Sequence, residues 1–157
     1  MSQVANPSQD LFATLRSLDF LRDLKDEHIR NLMSIAEVVD FPAGTLIFSE
    51  CDPAVHCYLI LDGSVLLEIC GPDECTKILT MGSGELLGWS PLLGAPRLTA
   101  TARCQEPTQA VELIGTDVLK LCEADHDFGY ELMKCVARTL SGRLTATRLQ
   151  LLDLFKS

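Results

Sequence analysis

Phe41 to Val65 reads FPAGTLIFSECDPAVHCYLILDGSV. Within it, TLIF, CYLIL and the start of SVLLEI are short runs of β-forming residues with an apolar period of two. FPAG, SECDPA and DGS separate them, and all three are rich in turn residues. Asp62-Gly63 between two apolar runs predicts a hairpin. The same rhythm continues in both directions. VVDF (38–41) precedes the stretch, and CTKILTM (75–81), LTATARC (98–104) and TQAVELI (108–114) follow it, spaced by GPDE and MGSGE. Many short strands at such intervals predict an antiparallel sandwich or barrel.

Helical periodicity lies on either side. Ser8 is placed to cap a segment carrying Leu11, Phe12 and Leu15. Asp26 opens an amphipathic helix in which Ile29, Leu32, Met33 and Ala36 share a face, while His28, Arg30 and Asn31 point away. His28 therefore reads as a solvated helix residue. After Gly115, Thr116 or Asp117 can cap VLKLCEA, and Asp125 can start DFGYELMKCVARTL. In ARTLSGRLTATRLQLLDLF, Ala137, Leu140, Leu144, Thr147, Leu151 and Leu154 alternate in steps of three and four. Such a seam either packs on its own domain or forms a parallel dimer helix. Its narrowness suits the dimer better, with Arg138, Arg143 and Arg148 keeping the other face wet. The chain divides into N-terminal helices (1–37), a β region (38–115) and C-terminal helices (116–157), within one domain of α+β class.

Composition excludes several classes. The 157 residues are enough for a substantial core. A net charge of −9 provides no positive field for nucleic acid or anionic lipid. No apolar run is long enough to span a bilayer, and the start MSQVANPSQD is not a signal peptide, so a cytoplasmic protein is expected. Seven cysteines include no C-x-x-C pair. In a reducing cytosol most would be small buried hydrophobes, with Cys70 and Cys75, flanking GPDE, as the two candidate surface thiols. G-x-S-x-G fails at its last position in Gly88-Trp89-Ser90-Pro91-Leu92. H-E-x-x-H, a P-loop and paired acids do not occur either, so no enzyme is expected.

Phe41, Pro42, Gly44, Ile47, Glu50, Asp52, Tyr58, Ile60, Gly63 and Val65 together resemble the cyclic-nucleotide-binding domain family, which includes the catabolite activator protein and the regulatory subunits of protein kinase A. The pattern there is F-P-x-G-x-x-[IL]-[FI]-x-[EQ]-G-D, a gap, then Y-x-[IL]-x-x-G-x-[VL]. Cys51 is the one departure, standing where the family has glycine. The resemblance runs from about Leu11 to the end of the chain. It implies an antiparallel β jelly-roll barrel flanked by N-terminal helices and a long C-terminal helix.

The resemblance also makes GELLGWSPLLGAPRLTATA (84–102) the phosphate-binding cassette, approximately F-G-E-[LIV]-[AGS]-L-L-x-x-x-P-R-[TSA]-A-[TS] in the family. Leu87 then takes the aromatic position, Gly88 the glycine, and Trp89 the glutamate that accepts a ribose hydroxyl. Ser90 caps the short helix with Pro91 in its first turn. Arg97 falls one residue before the phosphate-binding arginine, whose place Leu98 takes, and Thr99 and Ala100 follow. In an extended segment one step sends Arg97 to the opposite face. Candidate ligand-binding residues are thus Leu87, Gly88, Trp89, Ser90, Arg97, Leu98, Thr99 and Ala100. A phosphate buried without a cation is costly, so ordinary cyclic AMP or cyclic GMP binding is not expected. Trp89 either stacks on a planar ligand or fills the space of the nucleotide.

The expected function is a non-enzymatic sensor or regulatory module, dimeric through its last helix, with an unidentified small-molecule effector. The alternatives are an interaction protein with a dead pocket, or a true cyclic-nucleotide binder using Arg97. No metal site is assigned. Haem is a weaker option, through His56, Cys57 and Cys51 in one loop. Transcription factors of the family carry a helix-turn-helix after the long helix. This sequence stops at LLDLFKS, where that unit would begin, so direct DNA reading is not expected from it.

Overall fold

The computed structural model describes residues 7–156. Met1 to Asn6, most of the stretch MSQVANPSQD on which the expectation about a signal peptide rests, lie outside the described residues. The elements are α1 (Pro7–Ser17), α2 (Asp26–Met33), β1 (Ala36–Phe41), β2 (Leu46–Phe48), β3 (His56–Asp62), β4 (Val65–Cys70), β5 (Cys75–Met81), β6 (Leu86–Leu87), β7 (Thr101–Cys104), β8 (Thr108–Ile114), α3 (Gly115–Ala124) and α4 (His126–Lys156). Single 3-10 turns at Asp19–Leu21 and Ser90–Leu93 complete the list. The strands form two antiparallel sheets, β1-β8-β3-β6 and β2-β7-β4-β5, in the expected jelly-roll.

The period of two organises the core. On β3, Tyr58 and Ile60 face the barrel interior, where they meet Val65, Leu67, Met81, Leu87, Ala102, Cys104 and Ala110. Cys57 and Leu59 face the other way, onto a layer with Leu21, Ile29, Leu32, Val118, Phe128, Leu132 and Val136 from the helices. β3 is therefore buried on both faces, which is why CYLIL is almost continuously apolar. Phe128 is fully buried in the helical layer, and burying a ring of that size stabilises by about 2–3 kcal/mol.

The predicted hairpin at Asp62-Gly63 is not one. β3 and β4 belong to different sheets, and the turn hands the chain from one to the other. The preference of Asp-Gly for a positive-φ turn is real: Gly63 has φ +122°. A Cβ there would stand 2.4 Å from Thr108 Oγ1. The hairpin of this region is β4–β5, closed by GPDE with Cys70 opposite Cys75.

Three caps and one histidine also differ from expectation. α1 already runs through Ser8, so Ser8 lies inside its first turn. α3 begins at Gly115 on the extended Ile114, without a side-chain cap from Thr116 or Asp117. The short turn after β6 is preceded by Trp89, so Ser90 is its first residue and not its cap. Asp125 does cap α4: its Oδ1 accepts from the N–H groups of Asp127 (3.1 Å) and Phe128 (3.2 Å). His28 is only 3% exposed, with Nε2 3.4 Å from Asp125 Oδ2 and its ring edge-on to Phe128. The helical layer covers what the isolated α2 would leave wet.

Candidate functional site

The cassette is built from β6, the turn at Gly88-Trp89, the 3-10 turn Ser90–Leu93 ended by Gly94 at φ +72°, and the extended return to β7. The loop between β2 and β3 fixes that return. Cys51 N–H donates to the Leu98 carbonyl (2.8 Å), Leu98 N–H to the Asp52 carbonyl (2.9 Å), and Ala54 N–H to the Pro96 carbonyl (3.0 Å). This ladder sets the alternation of side chains. Leu98 is 6% exposed and turned inward. Arg97 is exposed, and its Nη1 donates to the Cys51 carbonyl at 2.8 Å.

Gly88, Trp89, Ser90, Leu98, Thr99 and Ala100 line one cavity, joined by Phe48, Leu67 and Arg143. Leu87 lies buried in the barrel core behind it, and Arg97 does not line it. The cavity measures about 30 Å³, the share of roughly one water, against the roughly 300–1,000 Å³ of ordinary ligand sites. Leu98 and Trp89 both belong to the wall, and Trp89 packs on the helical core layer.

Arg143 of α4 is the residue that sequence reasoning missed, having placed it on a wet flank. Its guanidinium lies over the Trp89 ring, 4.0 Å from the centroid. Nη2 donates to the Leu86 carbonyl and lies 3.5 Å from Met81 Sδ, while Nη1 is buried without a hydrogen-bond partner. Burial pushes its pKa down to about 10, with Glu85 acting in the opposite direction. On its other side Arg143 borders an open groove of about 650 Å³ between α4, the turn at Ser17–Phe20 and the loop before β6. Only the folding of α4 against β6 brings it here. No local spacing in the sequence carries that information.

Arg138, on the same flank, is exposed and bonded to Asp23 at 2.8 Å. The proposed seam is largely uncovered within this chain. Leu140 and Arg143 turn partly inward, while Ala137, Leu144, Thr147, Leu151 and Leu154 are exposed, Leu144 by 52% and Leu151 by 49%.

The iron-ligand option does not survive the geometry. Cys57 is fully buried, its thiol pushed up to about 12 by desolvation, while His56 on the opposite face of β3 sits 3.8 Å from Glu112. Cys70 and Cys75, expected as free surface thiols, are disulfide-bonded to each other. Cys57, Cys104 and Cys135 are buried, Cys122 is half-buried and Cys51 is exposed. Among the described residues, Glu68, Cys70 and Cys75 are the one group of three potential metal ligands whose donor atoms lie within 4.8 Å of one another. Among those residues, too, no helix is long and apolar enough to cross a membrane.

A two-sheet jelly-roll, a glycine-led cassette and a long helix closing over it define a cyclic-nucleotide-binding domain. The family model described as "Cyclic nucleotide-binding domain" matches residues 38–125, and the chain belongs to that family. It is similar to the CRP-like cAMP-activated global transcriptional regulator of Mycobacterium tuberculosis, with 31% identity over 117 residues, 74% of this chain and 50% of that protein. The chain thus spans about half the length of the curated relatives it matches. Among solved structures it resembles the N-terminal domain of a transcriptional regulator from Streptomyces coelicolor (TM-score 0.69, 25% identity, covering 85% of this chain and 94% of that one). A cyclic nucleotide-binding domain from Methylobacillus flagellatus shares the fold at TM-score 0.80 and 19% identity, covering 93% and 83%.

Proposed function

We propose that the chain is a non-enzymatic, cytoplasmic regulatory module that does not take cyclic AMP or cyclic GMP in the family's usual way, and that it acts as a homodimer through α4. It makes no direct contact with nucleic acid through these residues, whose balance is acidic. The observation that carries the reading is the packing of Arg143 on Trp89. The cation of the pocket comes from the output helix, and the ring on which it lies takes the glutamate's place in the cassette. An effector that displaces either group moves α4 directly. A buried guanidinium with one unpartnered nitrogen also makes the closed arrangement less favourable than a paired one, which leaves free energy for an effector to recover.

Arg97 does not support the alternative in which it binds the cyclic phosphate. It is engaged with the Cys51 carbonyl outside the cavity. The exposed leucines Leu144 and Leu151 support the dimer, since burying them against a second helix removes apolar surface from water.

Calorimetry with cyclic AMP and cyclic GMP, followed in parallel by emission of Trp89, tests the pocket; no heat and no spectral change are expected. Micromolar binding of either nucleotide would overturn it. Light scattering tests the assembly: a wild-type dimer and a Leu144→Asp, Leu151→Asp monomer are expected. A wild type that is monomeric at high concentration would end that part.

A further inference from the structure

We propose that Cys70 and Cys75 are a reversible two-electron thiol–disulfide pair, exchanging with low-molecular-weight thiols and disulfides, whose state is transmitted to the pocket through Glu50 and β4. The two residues face each other across the last pair of the β4–β5 hairpin, which is already held by pairing from Val65–Met81 onward. The sequence separation is five. A ring this small removes less loop entropy than a long one, and the ladder pairs from Val65–Met81 to Ile69–Thr76 hold the hairpin beside the bond. Opening it therefore leaves the barrel folded.

Access is asymmetric. Cys75 is exposed and Cys70 half-buried. The Glu68 carboxylate stands within 4.8 Å of both sulfurs and is paired with Arg103 at 3.4 Å, so exposure and not charge distinguishes them. Attack therefore falls on Cys75 Sγ from solvent. A thiolate RS⁻ bonds to Cys75 Sγ as the Cys70–Cys75 bond breaks, and Cys70 leaves as a thiolate that takes a proton from water. A second RS⁻ then bonds to the sulfur of the R group, giving RSSR and releasing Cys75 as a thiolate, which is likewise protonated. Two electrons and two protons enter the protein, and two thiols become one disulfide. The reverse exchange with RSSR restores the bond. Four of the other cysteines do not compete: burial pushes the thiols of Cys57, Cys104, Cys122 and Cys135 up, which suppresses the nucleophilic thiolate. The fifth, Cys51, is exposed and is the rival that the test must separate.

The link to the pocket is a continuous set of contacts. Cys70 N–H donates to Glu50 Oε1 at 2.8 Å, and Glu50 N–H donates to Thr101 Oγ1 at 3.1 Å. Thr101 adjoins Ala100 in the cavity wall, and β4 itself supplies Leu67 to that wall. A hairpin end that relaxes on reduction thus acts on both sides of the cavity.

The test uses the full native chain, equilibrated with dithiothreitol or with defined mixtures of reduced and oxidised glutathione. Each sample is quenched in acid, denatured, alkylated with N-ethylmaleimide and weighed intact. Of seven cysteines, two are bonded. Five adducts before reduction and seven after it are expected, with Trp89 emission changing at the same glutathione midpoint. Seven adducts under every condition, oxidised glutathione included, would overturn the pair. Five adducts after native incubation with dithiothreitol would overturn its reversibility. Emission that ignores the transition would overturn the transmission to the pocket. The two-adduct difference must also persist in Cys51→Ser; its loss there would assign the bond to Cys51.

Discussion

Phe41–Val65 and Gly84–Ala102 are hydrogen-bonded to each other at Cys51 and Leu98, yet they hold to the family's pattern in different ways. The first keeps its turn and core residues and departs only at Cys51. In the alignment that the resemblance implies, the second keeps its small-residue skeleton and has apolar side chains at the charged positions. Backbone requirements are stiff because they are local: a positive-φ turn has few substitutes. Side chains that face a ligand answer only to that ligand. Where no ligand holds such a position, it can serve as core, as the buried Leu98 does.

The strongest way to break this contrast is to restore the charges. Trp89→Glu with Leu98→Arg puts a carboxylate beside Arg143 and a guanidinium in the cradle. If only those two side chains bar the nucleotide, cyclic AMP affinity should rise from undetectable to micromolar, roughly a thousandfold or about 4 kcal/mol. Calorimetry on the folded double variant decides it. Silence would mean that the roughly one-water cavity is closed by more than two side chains, and the purely structural reading would gain.

Next in size is the stiffness of the first region. Gly63→Ala must strain a residue at φ +122° and drive Cβ to within 2.8 Å of Thr108 atoms. A loss of at least about 3 kcal/mol is expected from strain and overpacking together. Gly94→Ala in the cassette is the matched control: φ is +72°, and no atom lies within 4 Å of the added carbon. There strain alone should cost about 1 kcal/mol. Urea unfolding that found equal losses would erase the difference between the two regions.

Legibility in the sequence follows the same division. Strand and turn positions, and the Asp125 cap, depend on neighbours a few residues away, and they could be read. The sheet change at Asp62-Gly63 could not, because a turn residue specifies φ and not which strand its neighbour will pair with. His28 and Arg143 looked solvated for the same reason: their covers, Phe128 and Trp89, are distant in sequence. In the sequence Cys70 and Cys75 flank a turn. Their pairing rests on hairpin register, which a bulge at Ile78, between the Leu67–Leu79 and Glu68–Lys77 pairs, adjusts.

Asp125→Ala sharpens the comparison from outside both regions, since it removes the cap of the helix whose Arg143 packs on Trp89 of the cassette. It removes the cap of α4 and the partner of buried His28, at a cost of about 1–2 kcal/mol. The urea midpoint should fall with an unchanged slope, and Trp89 emission should stay native before the transition. An altered baseline emission would show that the cap positions Arg143 and does more than stabilise the helix.

The smallest effect should come from the first region's one departure. Cys51 is the only non-glycine with positive φ among the described residues, at +70°. A residue with a Cβ in that conformation costs at least about 1 kcal/mol, while glycine gives back roughly 0.5 kcal/mol or more through the entropy of the unfolded chain. The polar contacts made here are by the backbone, N–H to Leu98 and carbonyl to Arg97, so they survive either substitution. Cys51→Gly should therefore stabilise slightly, by about 0.5 kcal/mol, and Cys51→Ala should be neutral because it keeps the strain. If Cys51→Gly instead destabilises, the thiol itself makes a contact worth more than the strain. The contrast would then fail where it is sharpest, for the first region would also have exchanged a backbone residue for a side chain with work to do.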